Sequence, residues 1–332
     1  MKKRILIISM ILIVLMSVIG CSNDVNQNAN EAVLNENSKN EQAVNEENTS
    51  GETTEVVEEA IVYGDNKGFL WEVKNEDATV YLFGSIHMAD ESLYPFHETV
   101  EKAFEASDIL GVEADVSDIK AIQALAPSLM YEGDDTVYNH LSDDGIQKFE
   151  MICTEINLKP KLFEKFRVWV VGSNLMSMQL LKSEYSGTEG VDMYFLDKAK
   201  KTDKDVVELE GMSFQIDMMN SFTDEQQESI FLSSLGTTEE TIEDFRELYD
   251  IYLTGDEQLM TDYLFNTDNE MTSDDEVEEA ILIDRNVGMA EKIEAYLQTD
   301  KTYFVVVGLA HYLGDDSVMK YLENKGYTVE RK

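Results

Sequence analysis

Positive charge is scarce in this chain: 26 lysines and arginines stand against 67 aspartates and glutamates, a formal net charge of −41 at pH 7. Such a surface repels phosphate backbones, and no basic patch or aromatic-basic ribbon offsets it, so no nucleic acid partner is expected. Cysteine is nearly absent too. Of the two cysteines, Cys21 closes an apolar leader and Cys153 is left alone in 149-FEMICTEI-156. The mature domain therefore closes no internal disulfide, and a domain of this length needs none. Cys153 reads as a buried structural thiol on a helix flank, because no histidine follows it at a telling spacing. Three signatures are missing as well: a Gly-rich phosphate loop, His-Glu-x-x-His and Gly-x-Ser-x-Gly. Nucleotide enzymes and serine hydrolases lose ground accordingly.

The N-terminus is built for export. Lys2-Lys3-Arg4 precede an apolar run from Ile5 to Val18, broken only by Ser9 and Ser17, which ends at Ile19-Gly20-Cys21. Residues 1–21 read as a secretory signal rather than a spanning helix. Val18-Ile19-Gly20-Cys21 resembles a lipobox, in which Cys21 accepts a diacylglycerol and becomes the new N-terminus; the alternative is an uncleaved anchor. Either reading places the protein on the extracytoplasmic face of the cell membrane, tethered by its N-terminus. Residues 22–62 hold no aromatic residue and one basic residue, Lys39, among many Asn, Glu, Gln and Ser. That composition predicts a disordered acidic, Asn-rich tether. Residues 63–332 then form one domain of ordinary enzyme size.

Within that domain 69-FLWEV-73 and 79-TVYLFG-84 alternate as a hairpin around 74-KNEDA-78. Helical spacing over His97–Ser107 leads to an apolar strand in 109-ILGVEAD-115. A long helical region runs from about Asp118 to Ala199, interrupted near Pro127, Gly133 and Pro160. Its apolar stripe comprises Leu162, Phe163, Phe166, Trp169, Val170, Leu175, Met178 and Leu181. Next come a strand at 205-DVVEL-209, helices from Phe214 to Leu297, a strand at 302-TYFVVV-307, a helix over Val318–Asn324 and a last strand at 327-YTVE-330. The pattern predicts an α/β fold: a central mixed, largely parallel sheet with flanking helices and a large helical insertion.

Only four histidines occur, and two of them share one local pattern, an apolar strand followed by Gly-x-x-His: 81-YLFGSIHMAD-90 and 304-FVVVGLAHYLGD-315. In an open α/β sheet, functional groups collect beyond the carboxyl ends of the strands. Four ionisable residues fall there: His87, Glu113, Glu210 and His311. Gly84 and Gly308 are expected to permit a positive-φ turn and close backbone approach. Two imidazoles with one or two carboxylates suit a divalent metal, Zn, Mn, Co or Fe. A free glutamate would then take a proton; without metal, a histidine could itself be the general base. The bland reading is that each histidine is structural, as expected for His97 at a helix start and His140 before one. A shared site requires the two strands to be parallel neighbours or nearly so. His87 and His311 would then face one crevice, with Glu113 in the same shell and Glu210 or Arg285 at its wall.

The segments 70-LWEVKNEDATVYLFGSIHMADESLYP-95 and 308-GLAHYLGDDSVMKYLENKGYTV-329 resemble the opening and closing motifs of the TraB/GumN family, whose Tiki members are metal-dependent proteases. Between them 112-VEAD-115, 190-GVDMYFLDKAK-200, 208-ELEGMSFQ-215 and 285-RNVGMAEKI-293 keep the family's order. Where the family commonly carries threonine, this chain has Ser85 and Gly211. The resemblance reads the family's two Gly-x-x-His histidines onto His87 and His311, its acids onto Glu113 and Glu210, and its Arg-Asn pair onto Arg285 and Asn286. It implies a hydrolase, a peptidase acting on a peptide or protein, which the N-terminal leader and Cys21 would place outside the cytoplasm and tether to the membrane. His87, His311 and Glu113 would bind a divalent metal (Mn, Co or Zn), and Arg285 would stabilise developing negative charge or hold a carboxylate in place. The wider clan includes erythromycin-esterase-like hydrolases and a haem-binding lipoprotein, so the alternative is a non-catalytic lipoprotein that binds a metal, haem or another ligand.

Overall fold

The computed structural model describes residues 64–265 and 274–332. The leader (1–21, with Cys21), the tether (22–62) and Tyr63 lie outside the described residues.

Strands β1 (Phe69–Lys74) and β2 (Thr79–Ser85) form the expected hairpin, with Phe69 opposite Gly84 and Lys74 opposite Thr79. Its turn closes where the Asn75 N–H donates to the Ala78 carbonyl at 3.0 Å. With β3 (Ile109–Val112), β4 (Asp205–Glu208), β5 (Thr302–Gly308) and β6 (Val329–Arg331) they build a six-stranded sheet in the order β4-β3-β5-β2-β1-β6. The fold is α/β, and the sheet is mixed and mostly parallel. β2 pairs with β5, β5 with β3 and β3 with β4, all parallel, while β1 is antiparallel to both of its neighbours. The run of β-branched residues Val305–Val307 suits the central strand, which is buried on both faces. The short strands β4 and β6 form the edges, which limits the backbone open to unwanted pairing.

Helices α1 (Glu98–Ala106), α2 (Ile119–Leu125), α3 (Asp143–Glu155), α4 (Val168–Leu180) and α5 (Val191–Thr202) precede β4. Next come α6 (Met212–Ser221), α7 (Asp224–Ser234), α8 (Thr238–Thr254) and α9 (Glu257–Phe265). Then α10 starts as Asp275–Glu278, passes through a π-helical turn at Glu279–Ile283 and continues as Asp284–Tyr296. Last is α11 (Val318–Asn324). His97 opens α1 as expected, its Nδ1 accepting the Thr99 N–H at 3.2 Å. Thr223 and Thr237 begin α7 and α8 with capping boxes that satisfy two end donors each. Helix α4 is apolar almost all round and packs against α7 and α8, as a helix buried on every side must.

The expected apolar stripe holds at Phe163, Trp169, Val170 and Leu175, all fully or almost fully buried, but fails at Leu181, which is 43% exposed. Helix α4 stops at Leu180 because the chain turns away to pair Ser186 with Ala89, through N–H···O contacts of 2.8 and 3.2 Å. Cys153 is buried within α3, where burial and the charge of Glu150 push its thiol up to about 12, the behaviour of an inert core residue. Among the described residues no helix is long and apolar enough to cross a membrane.

Candidate active site

Because β2, β5, β3 and β4 are parallel, their carboxyl ends share one edge of the sheet. That register, Ser85 beside Gly308 and Val112 beside both Val306 and Glu208, brings His87, His311, Glu113 and Glu210 to one place. Gly308 shows how tightly they converge. A Cβ placed there would stand 3.2 Å from Glu113 Oε1, 3.7 Å from His311 Cδ2 and 3.8 Å from His87 Nε2. Neither glycine has the positive φ expected of it; Gly308 has φ −48° and Gly84 is equally ordinary. What each supplies is the missing side chain. A Cβ at Gly84 would sit 2.4 Å from Leu309 Cδ1 and 3.2 Å from Phe69 Cβ.

His87 meets Asp192, in the first turn of α5, with Nδ1 2.6 Å from Asp192 Oδ2. The other Asp192 oxygen accepts from Ser85 Oγ at 3.1 Å. Gly190 makes this contact possible, since a Cβ there would collide with the His87 carbonyl at 2.2 Å. Ser85 thus bonds the aspartate and not the imidazole, so these three residues do not form a serine-nucleophile triad. The His87 side chain is 17% exposed, yet its Nε2 is buried and has no partner. Burial alone would lower its pKa, but the charge and hydrogen bond of Asp192, with help from Glu113, raise it to about 9.

His311 lies on the 3-10 turn Leu309–Tyr312 after β5 and is 0% exposed. Its Nδ1 is 2.6 Å from Asn286 Oδ1, and Asn286 Nδ2 donates to the Asp316 carbonyl at 2.8 Å. That second bond fixes the amide, so Nδ1 is the donor and Nε2 carries the lone pair. His311 Nε2 is also buried and unpartnered. Burial, the charge of Arg285 and the neighbouring His87 hold it well below the ordinary imidazole range, so it is neutral. Leaving such a nitrogen buried without a hydrogen bond costs about 1–3 kcal/mol, and here two are left so.

Glu113 is held on both oxygens. Oε1 accepts the Gly308 N–H at 2.7 Å, while Oε2 accepts from Arg285 and from Gln215 Nε2 at 3.1 Å. Arg285 also forks onto Glu210, Nε to Oε1 at 2.9 Å and a terminal nitrogen to Oε2 at 2.8 Å, and donates to the Ile281 carbonyl at 3.1 Å. Gln215 bridges the two acids, 3.0 Å from Glu210 Oε2. One buried guanidinium faces two carboxylates, so the cluster keeps net negative charge beside the imidazoles.

The TraB/PrgY/gumN family profile matches residues 69–331, nearly all of the described chain. This chain belongs to that family. Its relatives include the uncharacterized protein YbaP of Escherichia coli (strain K12), 26% identical over 242 residues that cover 73% of this chain and 87% of YbaP. Metalloprotease TIKI1 of Danio rerio is 24% identical over 316 residues, covering 80% of this chain and 63% of its own. Metalloprotease TIKI1 of Homo sapiens is 23% identical over 313 residues, covering 79% of this chain and 61% of its own. The chain thus spans about six-tenths of the length of these two metalloproteases. No solved structure gives a significant match.

The two Gly-x-x-His histidines and both acids of this TraB/PrgY/gumN chain meet at one sheet edge, with Arg285 and Asn286 against them. The unpartnered Nε2 of neutral His311 suits a divalent cation as it stands, and that of His87, whose pKa is raised to about 9, suits one once the cation displaces its proton. Among the described residues, however, no three His, Cys, Asp or Glu side chains are grouped to hold one. Two residues in contact with the site were not picked out from sequence. Asp192 lies in 190-GVDMYFLDKAK-200 and Gln215 in 208-ELEGMSFQ-215, both segments in family order. With 67 acids in the chain, nothing local marks Asp192 as the partner of His87. His97 and His140 stay apart from the site. His140 stacks on Tyr131 (ring centroids 4.0 Å) between Asp135 and Asp224.

Proposed function

We propose that this protein is a metal-dependent peptidase, a hydrolase that works outside the cytoplasm and is tethered to the membrane through a lipid on Cys21. The observation that carries the catalytic reading is the pair of buried, unpartnered Nε2 atoms of His87 and His311 beside the Glu113–Arg285–Glu210 cluster. The names of the TIKI relatives support hydrolysis of a peptide bond and a metal requirement.

In this reading His87 and His311 hold a divalent ion, Mn, Co or Zn. When bound, such an ion polarises a carbonyl and brings the pKa of water toward neutrality. The chain's own groups do the rest. Asp192 and Asn286 keep the imidazoles aimed. Arg285 holds Glu113 and Glu210 in place and balances charge that builds up at the sheet edge. The burial of His311, Glu113 and Arg285 keeps bulk water out, which strengthens each electrostatic contact.

The test is a peptide-library digest with chelator-treated protein, with and without each metal. Metal-dependent cleavage is expected, falling about a hundredfold or more in His87→Ala and in His311→Ala while circular dichroism stays unchanged. Tight metal uptake with no cleavage would favour the non-catalytic binding reading instead. Loss of folding in either variant would make that histidine structural. Tethering is tested separately: Cys21→Ser should abolish labelling by a radioactive fatty acid.

A further inference from the structure

A histidine that holds a cation must present one nitrogen with a free lone pair and must be kept from turning. The usual device is a hydrogen bond from the other ring N–H to a carboxylate or carbonyl oxygen. Both histidines at this edge have it. His87 Nδ1 meets Asp192 Oδ2 at 2.6 Å, and Ser85 Oγ fixes the second Asp192 oxygen at 3.1 Å. His311 Nδ1 meets Asn286 Oδ1 at 2.6 Å, and the Asp316 carbonyl fixes the Asn286 amide at 2.8 Å. The nitrogens left over, Nε2 in each ring, are both buried and without a partner. Gly190, pressed against the His87 carbonyl, shows that α5 is placed closely enough to deliver Asp192.

Glu113 is in the opposite condition. One oxygen is taken by the Gly308 N–H at 2.7 Å, the other by Arg285 and by Gln215 at 3.1 Å. Its Oε1 keeps a second lone pair, but Oε2 is committed to Arg285 and Gln215, and among the described residues no third His, Cys, Asp or Glu is grouped with the two imidazoles to hold an ion.

We infer that Asp192 and Asn286 are positioning residues that preform a two-imidazole site for a divalent cation, and that Glu113 is an anchored charge beside that site rather than one of its ligands. This rests on the metal-dependent reading of the site. It differs from the expectation that His87, His311 and Glu113 bind the ion together. Any remaining ligand positions are then open to water and to a substrate oxygen, as a catalytic centre requires.

Cobalt(II), whose visible absorption reports its nitrogen and oxygen donors, tests this on the full-length chain without any assay of activity. The double variant His87→Ala, His311→Ala measures the cobalt taken up by the acidic surface. Against that baseline Asp192→Asn and Asn286→Ala should each weaken cobalt binding about 10- to 100-fold and broaden its visible band. Glu113→Gln, which keeps the shape of the side chain, should leave the band intact and shift the affinity no more than a few-fold. Asp192→Asn is preferred because it fills the same space; Asp192→Ala, checked by thermal unfolding, should weaken binding at least as much. The inference is overturned if Glu113→Gln loses cobalt as fully as the double histidine variant, or if Asp192→Asn and Asn286→Ala bind like the wild type. A wild-type chain with no cobalt band beyond the baseline would overturn the metal-dependent reading as well.

Discussion

One hydrogen atom on Gly308 is what lets Glu113 and both imidazoles meet. Its backbone conformation is open to any residue, so Gly308→Ala tests close approach alone. The added methyl would stand 3.2 Å from Glu113 Oε1 and crowd the carboxylate off the Gly308 N–H. We expect a stability cost of about 1 kcal/mol with a loss of the proposed peptidase activity nearer a hundredfold, measured by thermal unfolding and kcat/KM. Gly84→Ala should show the reverse balance. Its methyl meets Leu309 and Phe69 inside the sheet, so the cost should fall on stability, about 1–3 kcal/mol. Equal effects of the two changes on both measurements would argue against the separate roles assigned to them. His87 and His311 were legible in the sequence because two rare residues share one frame, each beyond an apolar run. Asp192, by contrast, is one acid among many. Its meaning lies in a contact between positions 87 and 192 that no local spacing records.

The same division holds for the elements. The hairpin, β3, β4 and β5 were legible because each is a short apolar or β-branched run bounded by polar residues or glycine. The break after α4 was not, since it depends on Ser186 pairing with Ala89 across the fold. The π-helical turn Glu279–Ile283 was equally hidden, and it lies just before the two residues that matter most on α10. Consecutive residues there serve different partners: Arg285 reaches Glu113 and Glu210, and Asn286 reaches His311. The π turn takes up one residue more than ordinary helix would over the same arc, so deleting Glu279 should convert it to ordinary helix and leave the remainder of α10 nearly in phase. Both contacts should survive, with an unfolding temperature close to that of the wild type; a sharp fall would show that the π turn itself is needed to aim Arg285 and Asn286.

His140 ties the loop before α3 to α7. Burial would lower its pKa, but the hydrogen bond to Asp135 (3.0 Å) and the Asp224 carboxylate 2.9 Å from Nδ1 prevail and raise it above the ordinary 6.5. A proton held more tightly in the fold stabilises it below the unfolded pKa, and the benefit disappears as pH rises through the higher folded value. The stability gap between wild type and His140→Ala in urea should therefore be largest near about pH 5.5 and shrink by up to about 1 kcal/mol toward about pH 9. A gap that widens with pH would rule this account out.

At the scale of the molecule, the expectation of a mostly parallel sheet with neighbouring histidine strands was correct, because strand–helix alternation at both ends of the chain constrains topology strongly. What could not be read was the full strand order, in particular that β6 would return to flank β1, where the Lys332 N–H donates to the Leu70 carbonyl at 2.9 Å.

The central place of β5 also sets a timetable. A nascent chain leaves the ribosome from its N-terminus, so β2 and β3 emerge long before Thr302–Gly308, the strand that lies between them. Until then each presents a bare edge, the feature that invites pairing with other chains. A chain ending at Lys301 should accordingly sediment as aggregate, where the full-length chain stays dispersed; a soluble, cooperatively unfolding truncation would contradict this. Early termination is then penalised by the topology itself: an incomplete chain carries its own signal for disposal, and no half-built site is released to act.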